Sequence, residues 1–262
     1  MATVNRRAPR PRAVTVDLWN TLIVQPVAAR RRLEQERTTI WAGAARRAGA
    51  GPRRATALAR AITARARRVE HTGIAPTIAD QVDWLRRSLG RPVDGAAVAR
   101  GVDAALATTD LRLVPGAVAG LDRLRDAGIR VGLVSNVLHE SPVAVRRWLA
   151  RTGLDAHLDP IVLSAEIGRA KPSPVPIRRA LTALGVRPAD AVHIGDERWD
   201  VVAAWRAGVA AIRFTGTARW WPPTHSTIRP PESRAPALRR WADLDRSFDR
   251  LVVAARDAVP RG

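Results

Sequence analysis

Ala13-Val14-Thr15-Val16-Asp17-Leu18-Trp19-Asn20-Thr21-Leu22, AVTVDLWNTL, is the stretch whose reading decides the fold. Its first four residues are apolar or β-branched and read as a buried strand. Asp17 stands at the carboxyl end of that strand, and Asn20 and Thr21 behind it are turn or cap formers. In an open α/β sheet that edge is where ligands bind. A carboxylate there can attack an electrophile, and the amides of the following turn can face an anion.

The chain on the C-terminal side of this stretch is first helical. From about Pro26 to Arg112 it is rich in Ala and Arg with helical periodicity. Leu33, Ile40, Trp41 and Ala44 can share one face; Leu58, Ile62, Ala66 and Val69 make a second stripe, and Val82, Leu85 and Leu89 a third. Gly49-Ala50-Gly51-Pro52, Gly73 to Pro76 and Gly90-Arg91-Pro92 punctuate the runs, so the pattern predicts a bundle of about four helices whose stripes are core.

After Val114-Pro115-Gly116 strands and helices alternate. Helices are predicted over 117–127, 142–152, 174–184 and 201–207, and strands over 129–134, 161–163, 191–194 and 210–214. Residues 215–240 read as loop, with Trp220-Trp221 as packing or a contact patch, and Trp241 to Ala254 as a final helix. The expected fold is α/β: a Rossmann-like, doubly wound parallel sheet with an all-helical insert just after its first strand. The expected division is a mobile basic tail over 1–12, a core from 13–24 and 113–262, and the insert over 25–112.

Composition narrows the chemistry. The 262 residues contain no Cys, which excludes disulfides, thiolate catalysis and zinc–sulfur sites. No apolar run approaches the ~20 residues of a membrane span. The basic start has no apolar core of a signal segment, so the cytoplasm is the expected compartment. The formal net charge of +20 comes from Arg spread along the whole chain without an aromatic platform, which argues against specific nucleic-acid binding. Lys occurs once, at Lys171.

Polar groups gather where the predicted strands end: Asp17 with Thr21, Ser135-Asn136, Lys171 in GRAKPSP, and Asp196 with Asp200 in HIGDERWD. Together they can make a phosphoryl site. One carboxylate attacks, a hydroxyl and an ammonium hold phosphoryl oxygens, and the distal carboxylates hold Mg²⁺. Taken singly, a lone Asp after a strand is usually a cap and a lone Lys a solvated charge. A composition that otherwise uses Arg yet keeps Lys171 points to a site where a fork cannot replace a point charge.

These segments resemble the motifs of the haloacid dehalogenase-like hydrolase superfamily. DLWNTL is similar to its first motif, VGLVSN to its second, KPSP to its third, and HIGDERWDVVAAWRAG to its fourth. The helical insert sits where that family places its C1 cap. The resemblance implies that Asp17 is the nucleophile and that Thr21 and Ser135 bind the transferred group, with Asn136 beside them. It implies that Lys171 neutralises charge, that Asp17, Asp196 and the backbone carbonyl of Trp19 bind Mg²⁺, and that Asp200 supports them. Asp200 also fits a helix N-cap. His193 reads as core, and Glu197 either as an acid behind the metal ligands or as a solvated residue at a helix start.

The departure is Trp19. Family phosphatases carry a second Asp there, which protonates the leaving group and later activates water; indole does neither. Trp19 resembles the metal-independent 2-haloacid dehalogenase branch, which however lacks the pair corresponding to Gly195-Asp196. The phosphonatase branch also lacks the second Asp, but it uses a cap Lys, and no Lys exists in this insert. The resemblance therefore implies a Mg²⁺-dependent phosphatase on a small phosphorylated anion. The alternatives are a dehalogenase, or a weakly catalytic anion-binding protein.

Overall fold

The computed structural model describes residues 10–217 and 231–260. The chain order begins with β1 (Ala13–Val16) and β2 (Ile23–Val24), then α1 (Val27–Arg47), α2 (Pro52–Glu70), α3 (Ile78–Leu89) and α4 (Gly95–Ala107). There follow β3 (Arg112–Leu113), α5 (Ala117–Asp126), β4 (Arg130–Ser135), α6 (Pro142–Thr152), β5 (Ile161–Leu163), α7 (Ser164–Ile167) and α8 (Val175–Leu184). The chain closes with β6 (Ala191–Gly195), α9 (Arg198–Ala207), β7 (Ala210–Phe214), β8 (Ala237–Leu238) and α10 (Leu244–Asp257).

Six strands form one parallel sheet in the order β5-β4-β1-β6-β7-β8. The apolar run of β1 is fully buried because strands flank it on both sides and helices cover both faces. Val16 is in register with Leu133 of β4 and Ile194 of β6, so the carboxyl ends of the three central strands lie side by side. The chain runs outward from β1 through β4 to β5, then crosses back to β6. The point where strand order reverses is therefore the β1–β6 boundary, where such sheets open a crevice.

Apolar clusters fill both faces of the sheet. One joins Val14, Val16, Leu121, Leu149, Ile194 and Trp241; the other joins Val134, Ile177, Leu181, Val201 and Ala204. A third cluster lies within the helical insert, among Trp41, Ala45, Ala59, Ile62, Leu85 and Val102. Thr77 and Asp80 form a capping box on α3, and the Asp94 side chain caps α4. Among the described residues no helix is long and apolar enough to cross a membrane.

The structure differs from the sequence reading in several places. The buried stripe of α2 is Ala55, Ala59, Ile62 and Ala66, while Leu58 and Val69 are only partly buried. Small residues let α2 lie close to α1, so Ala rather than the larger apolar residues takes the seam. β2 and β3 pair antiparallel at the entry and exit of the insert, although each is too short to carry a periodic signal. β8 pairs with β7 inside the segment expected to be loop. Trp241 lies in a single 3₁₀ turn ahead of α10 rather than in the helix.

Of the expected mobile tail, residues 1–9 lie outside the described residues, as does Trp220-Trp221. Arg10 to Arg12 is tied down. Arg10 Nε donates to Asp249 Oδ1 at 3.0 Å, and the Arg12 amide donates to the Asp190 carbonyl at 2.7 Å.

Candidate active site

The turn after β1 is held from behind. The Asp17 amide donates to the Ile194 carbonyl at 2.9 Å, which locks the strand end to β6. Asn20 takes a left-handed backbone (φ 57°), a conformation that Asn accepts at low cost. Thr217 Oγ1 donates to the Asn20 carbonyl at 2.8 Å, and Trp241 Nε1 donates to the Thr21 carbonyl at 2.8 Å. A Cβ at Gly120 of α5 would come within 2.6 Å of Trp241 Cε3, so the indole reaches the turn only because Gly120 has no side chain.

Asp17 and Lys171 meet in the interior, 5 % and 3 % exposed. Lys171 Nζ donates to Asp17 Oδ1 at 2.5 Å, to Asp200 Oδ1 at 2.6 Å and to the Val134 carbonyl at 2.9 Å. All three ammonium protons are thus used. The Lys171 main chain is gripped as well: Asn136 Nδ2 donates to its carbonyl, and its amide donates to Asn136 Oδ1, each at 2.9 Å.

Asp200 sits at the third position of α9, not at its N-cap. Its Oδ2 accepts from the Glu197 amide at 2.9 Å in a reciprocal capping box, while its Oδ1 faces Lys171 and, at 3.3 Å, His193 Nε2. A Cβ at Gly195 would lie 2.3 Å from Asp200 Cγ, so the glycine before Asp196 is what admits this carboxylate to the strand end. His193 is buried as expected, and its Nδ1 lies 2.9 Å from Thr15 Oγ1.

Ligand oxygens of Asp17, Asp196 and Asp200 all lie within 4.8 Å of one another. Burial pushes Asp17 up to about 7, against the Lys171 charge and with the Asp200 charge. Burial, followed by Glu197, Asp17 and Asp200, holds Asp196 well above the carboxylate range. Burial and the Asp200 charge push Glu197 up to about 8. Burial acts to raise Asp200 too, but Lys171 and His193 outweigh it and hold the group low. Burial acts to lower Lys171, and Asp17 and Asp200 outweigh it and hold it above its ordinary value. One ammonium faces a surplus of carboxyls. An all-oxygen, net-negative donor set of this kind fits a hard divalent cation.

A cavity of about 200 Å³ opens over this cluster. Asp17, Lys171, Asp196, Asp200, Asn136 and Trp19 are on its wall. Thr21 and Ser135 are not; both are buried, with Thr21 Oγ1 3.5 Å from Asp196 Oδ1 and Ser135 Oγ 3.4 Å from the Asn136 carbonyl. The sequence reading missed the wall that the insert supplies, chiefly Arg37, Arg67 and Glu70. Gln25 Nε2, Arg37 Nε and Trp199 Nε1 on the wall are buried with no hydrogen-bond partner among the described residues. No sequence motif marks these residues; Arg37, Arg67 and Glu70 belong to Arg- and Ala-rich helices in which any polar position reads as solvated.

The model of the haloacid dehalogenase-like hydrolases matches residues 11–208. The chain belongs to that family. It is 35% identical over 137 residues to a glyceraldehyde 3-phosphate phosphatase of Methanopyrus kandleri, which covers 50% of this chain and 57% of the relative. It is 38% identical over 97 residues to the pyrophosphatase PpaX of Bacillus velezensis, covering 36% and 44%. The chain thus spans about half the length of the curated relatives it matches. In fold it is similar to a 2-haloacid dehalogenase from Pseudomonas syringae, with a TM-score of 0.63 at 20% identity over 92% of this chain and 99% of that one.

Proposed function

We propose that this haloacid dehalogenase-like hydrolase is a Mg²⁺-dependent phosphatase of small phosphorylated substrates, working through an aspartyl-phosphate on Asp17. The observation that carries the reading is the Lys171 ammonium shared between Asp17 and Asp200, with Asp196 beside them. The names of the matched relatives, a pyrophosphatase and a sugar-phosphate phosphatase, support it.

Asp17 attacks phosphorus and the ester oxygen leaves. Lys171 offsets charge on the nucleophile and on the transferred group, and Asn136 keeps Lys171 in register. Ser135 and Thr21 stand behind the wall, where Ser135 backs Asn136 and Thr21 steadies Asp196. Asp17, Asp196 and the Trp19 carbonyl are the proposed Mg²⁺ ligands, with Asp200 in support. Bound there, Mg²⁺ neutralises charge on the phosphoryl oxygens. Gln25, Arg37 and Trp199 offer donors to an oxygen-rich leaving group. In this reading residues 25–112 form a C1-type cap over a core of 13–24 and 113–262, and the enzyme works in the cytoplasm without a specific nucleic-acid partner.

Trp19 favours a second reading, a metal-independent 2-haloacid dehalogenase in which Asp17 displaces halide. A screen of phosphate esters and 2-halo acids, with and without Mg²⁺, separates the two. The phosphatase reading expects ester turnover that a chelator abolishes; halo-acid turnover indifferent to the chelator would replace it with the second.

A further inference from the structure

We infer that Glu70, on the inserted helices, supplies the proton donor and acceptor that position 19 lacks. The inference rests on the phosphatase reading above. An alkoxide needs a proton as its bond to phosphorus breaks, and the water that opens the aspartyl-phosphate must give one up. The Trp19 indole does neither.

Glu70 has the placement for both. It is the last residue of α2, and its side chain is on the wall of the cavity that holds Asp17 and Lys171. Asn136, whose side chain grips the Lys171 main chain, lines the same wall. The end of α2 is also stitched to the segment that delivers Lys171. Ala170 N donates to the Gly73 carbonyl at 3.0 Å, Ala75 N donates to the Gly168 carbonyl at 3.3 Å, and Ile74 bridges Arg169 between them. A Cβ at Gly73 would lie 3.0 Å from Ser173 Cβ, so the two segments are in close contact. Backbone hydrogen bonds, not a loose linker, therefore register Glu70 against the site.

The charged groups facing Glu70 are Arg67 on its own helix, Lys171, Asp17 at the end of β1 and Glu197 at the start of α9. Burial pushes the Glu70 carboxyl up to about 7, against the nearby Asn136 amide, Lys171 and Arg67 and with the Asp17 charge. Such a group can both give and take a proton near neutrality. Of the other glutamates on the wall, Glu34 pairs with Arg30, Glu140 pairs with Arg37, and the Glu197 side chain caps α9 next to Asp196.

The steps balance. As an Asp17 oxygen bonds to phosphorus and the ester oxygen leaves, Glu70 gives that oxygen its proton and becomes a carboxylate. Water then attacks phosphorus and gives Glu70 a proton. The bond between phosphorus and Asp17 breaks, Asp17 returns as a carboxylate, hydrogen phosphate departs, and Glu70 is again protonated.

The test compares the full chain with its Glu70→Gln and Glu70→Asp variants, in Mg²⁺, on an alkyl phosphate and on a nitrophenyl phosphate. Nitrophenolate leaves without a proton. Glu70→Gln is expected to lose about 10²–10⁴-fold on the alkyl ester. On the nitrophenyl ester it should release a stoichiometric burst of nitrophenolate and then turn over slowly, as phosphoenzyme accumulates. Glu70→Asp, which keeps an acid, should recover part of the alkyl activity. Wild-type alkyl turnover in a folded Glu70→Gln protein overturns the inference. So does an equal loss on both esters with no burst. Absence of phosphate-ester hydrolysis by the wild type overturns the phosphatase reading itself, and is seen before any variant is compared.

Discussion

Lys171 donates its ammonium protons to Asp17, Asp200 and the Val134 carbonyl, three acceptors converging on one point. A guanidinium is a flat fork and cannot aim three donors at that point, so Lys171→Arg should fold yet lose about 10²–10³-fold in kcat, as measured by steady-state kinetics. Retained kcat would remove Lys171 from the chemistry. Trp19→Asp offers a second residue-scale test. Introduced into the Glu70→Gln background, it should restore turnover of alkyl phosphates, because a carboxyl then stands where the family phosphatases keep theirs. No gain in a folded double variant would show that a carboxyl at position 19 cannot reach the leaving oxygen. Asp17, Lys171, Asp196 and Asp200 were legible because each follows a predicted strand or lies in a recognisable motif. Glu70 was not, because only the stitch between 73–75 and 168–170 carries an ordinary helix-end Glu into the site.

At the scale of elements, the turn after β1 depends on the far end of the chain. Trp241 holds the Thr21 carbonyl, and Gly120 makes room for Trp241. Gly120→Ala should push the indole off that carbonyl and cost about 1–3 kcal/mol. Denaturant unfolding measures the cost, and kcat should fall with it because the Asp17 turn loses its tether. An unchanged midpoint with unchanged kcat would show the tether to be idle. The alternation of strands and helices around this turn was readable because buried parallel strands are continuous apolar runs. The two-residue strands β2, β3 and β8 were not, since two residues carry no period. α9 begins three residues earlier than the apolar pattern indicates, because Glu197 and Asp200 cap it reciprocally and its polar first turn is helical too.

At the scale of the whole molecule, the net charge of +20 surrounds an interior cluster that is acidic. The basic exterior attracts anions over a distance, and in the proposed reading the cluster takes up its cation before it accepts one. Arg is dispersed rather than banked on one element, and many of these side chains pair locally, such as Arg30 with Glu34 and Arg146 with Glu166. DNA binding should therefore be independent of sequence and fall steeply between low and physiological salt, as read by fluorescence anisotropy. A sequence-selective complex that persists at physiological salt would contradict this. The central claim is that Asp17 carries the transferred phosphoryl group, and trapping it is the direct test. Acid-quenching the Mg²⁺-loaded enzyme during turnover of a nitrophenyl phosphate, then mapping peptides by mass spectrometry, should find one added phosphoryl group on the peptide containing Asp17. The Asp17→Asn variant should carry none. Rapid wild-type turnover with no phosphoryl group on Asp17, or with the group on another residue, would contradict the account.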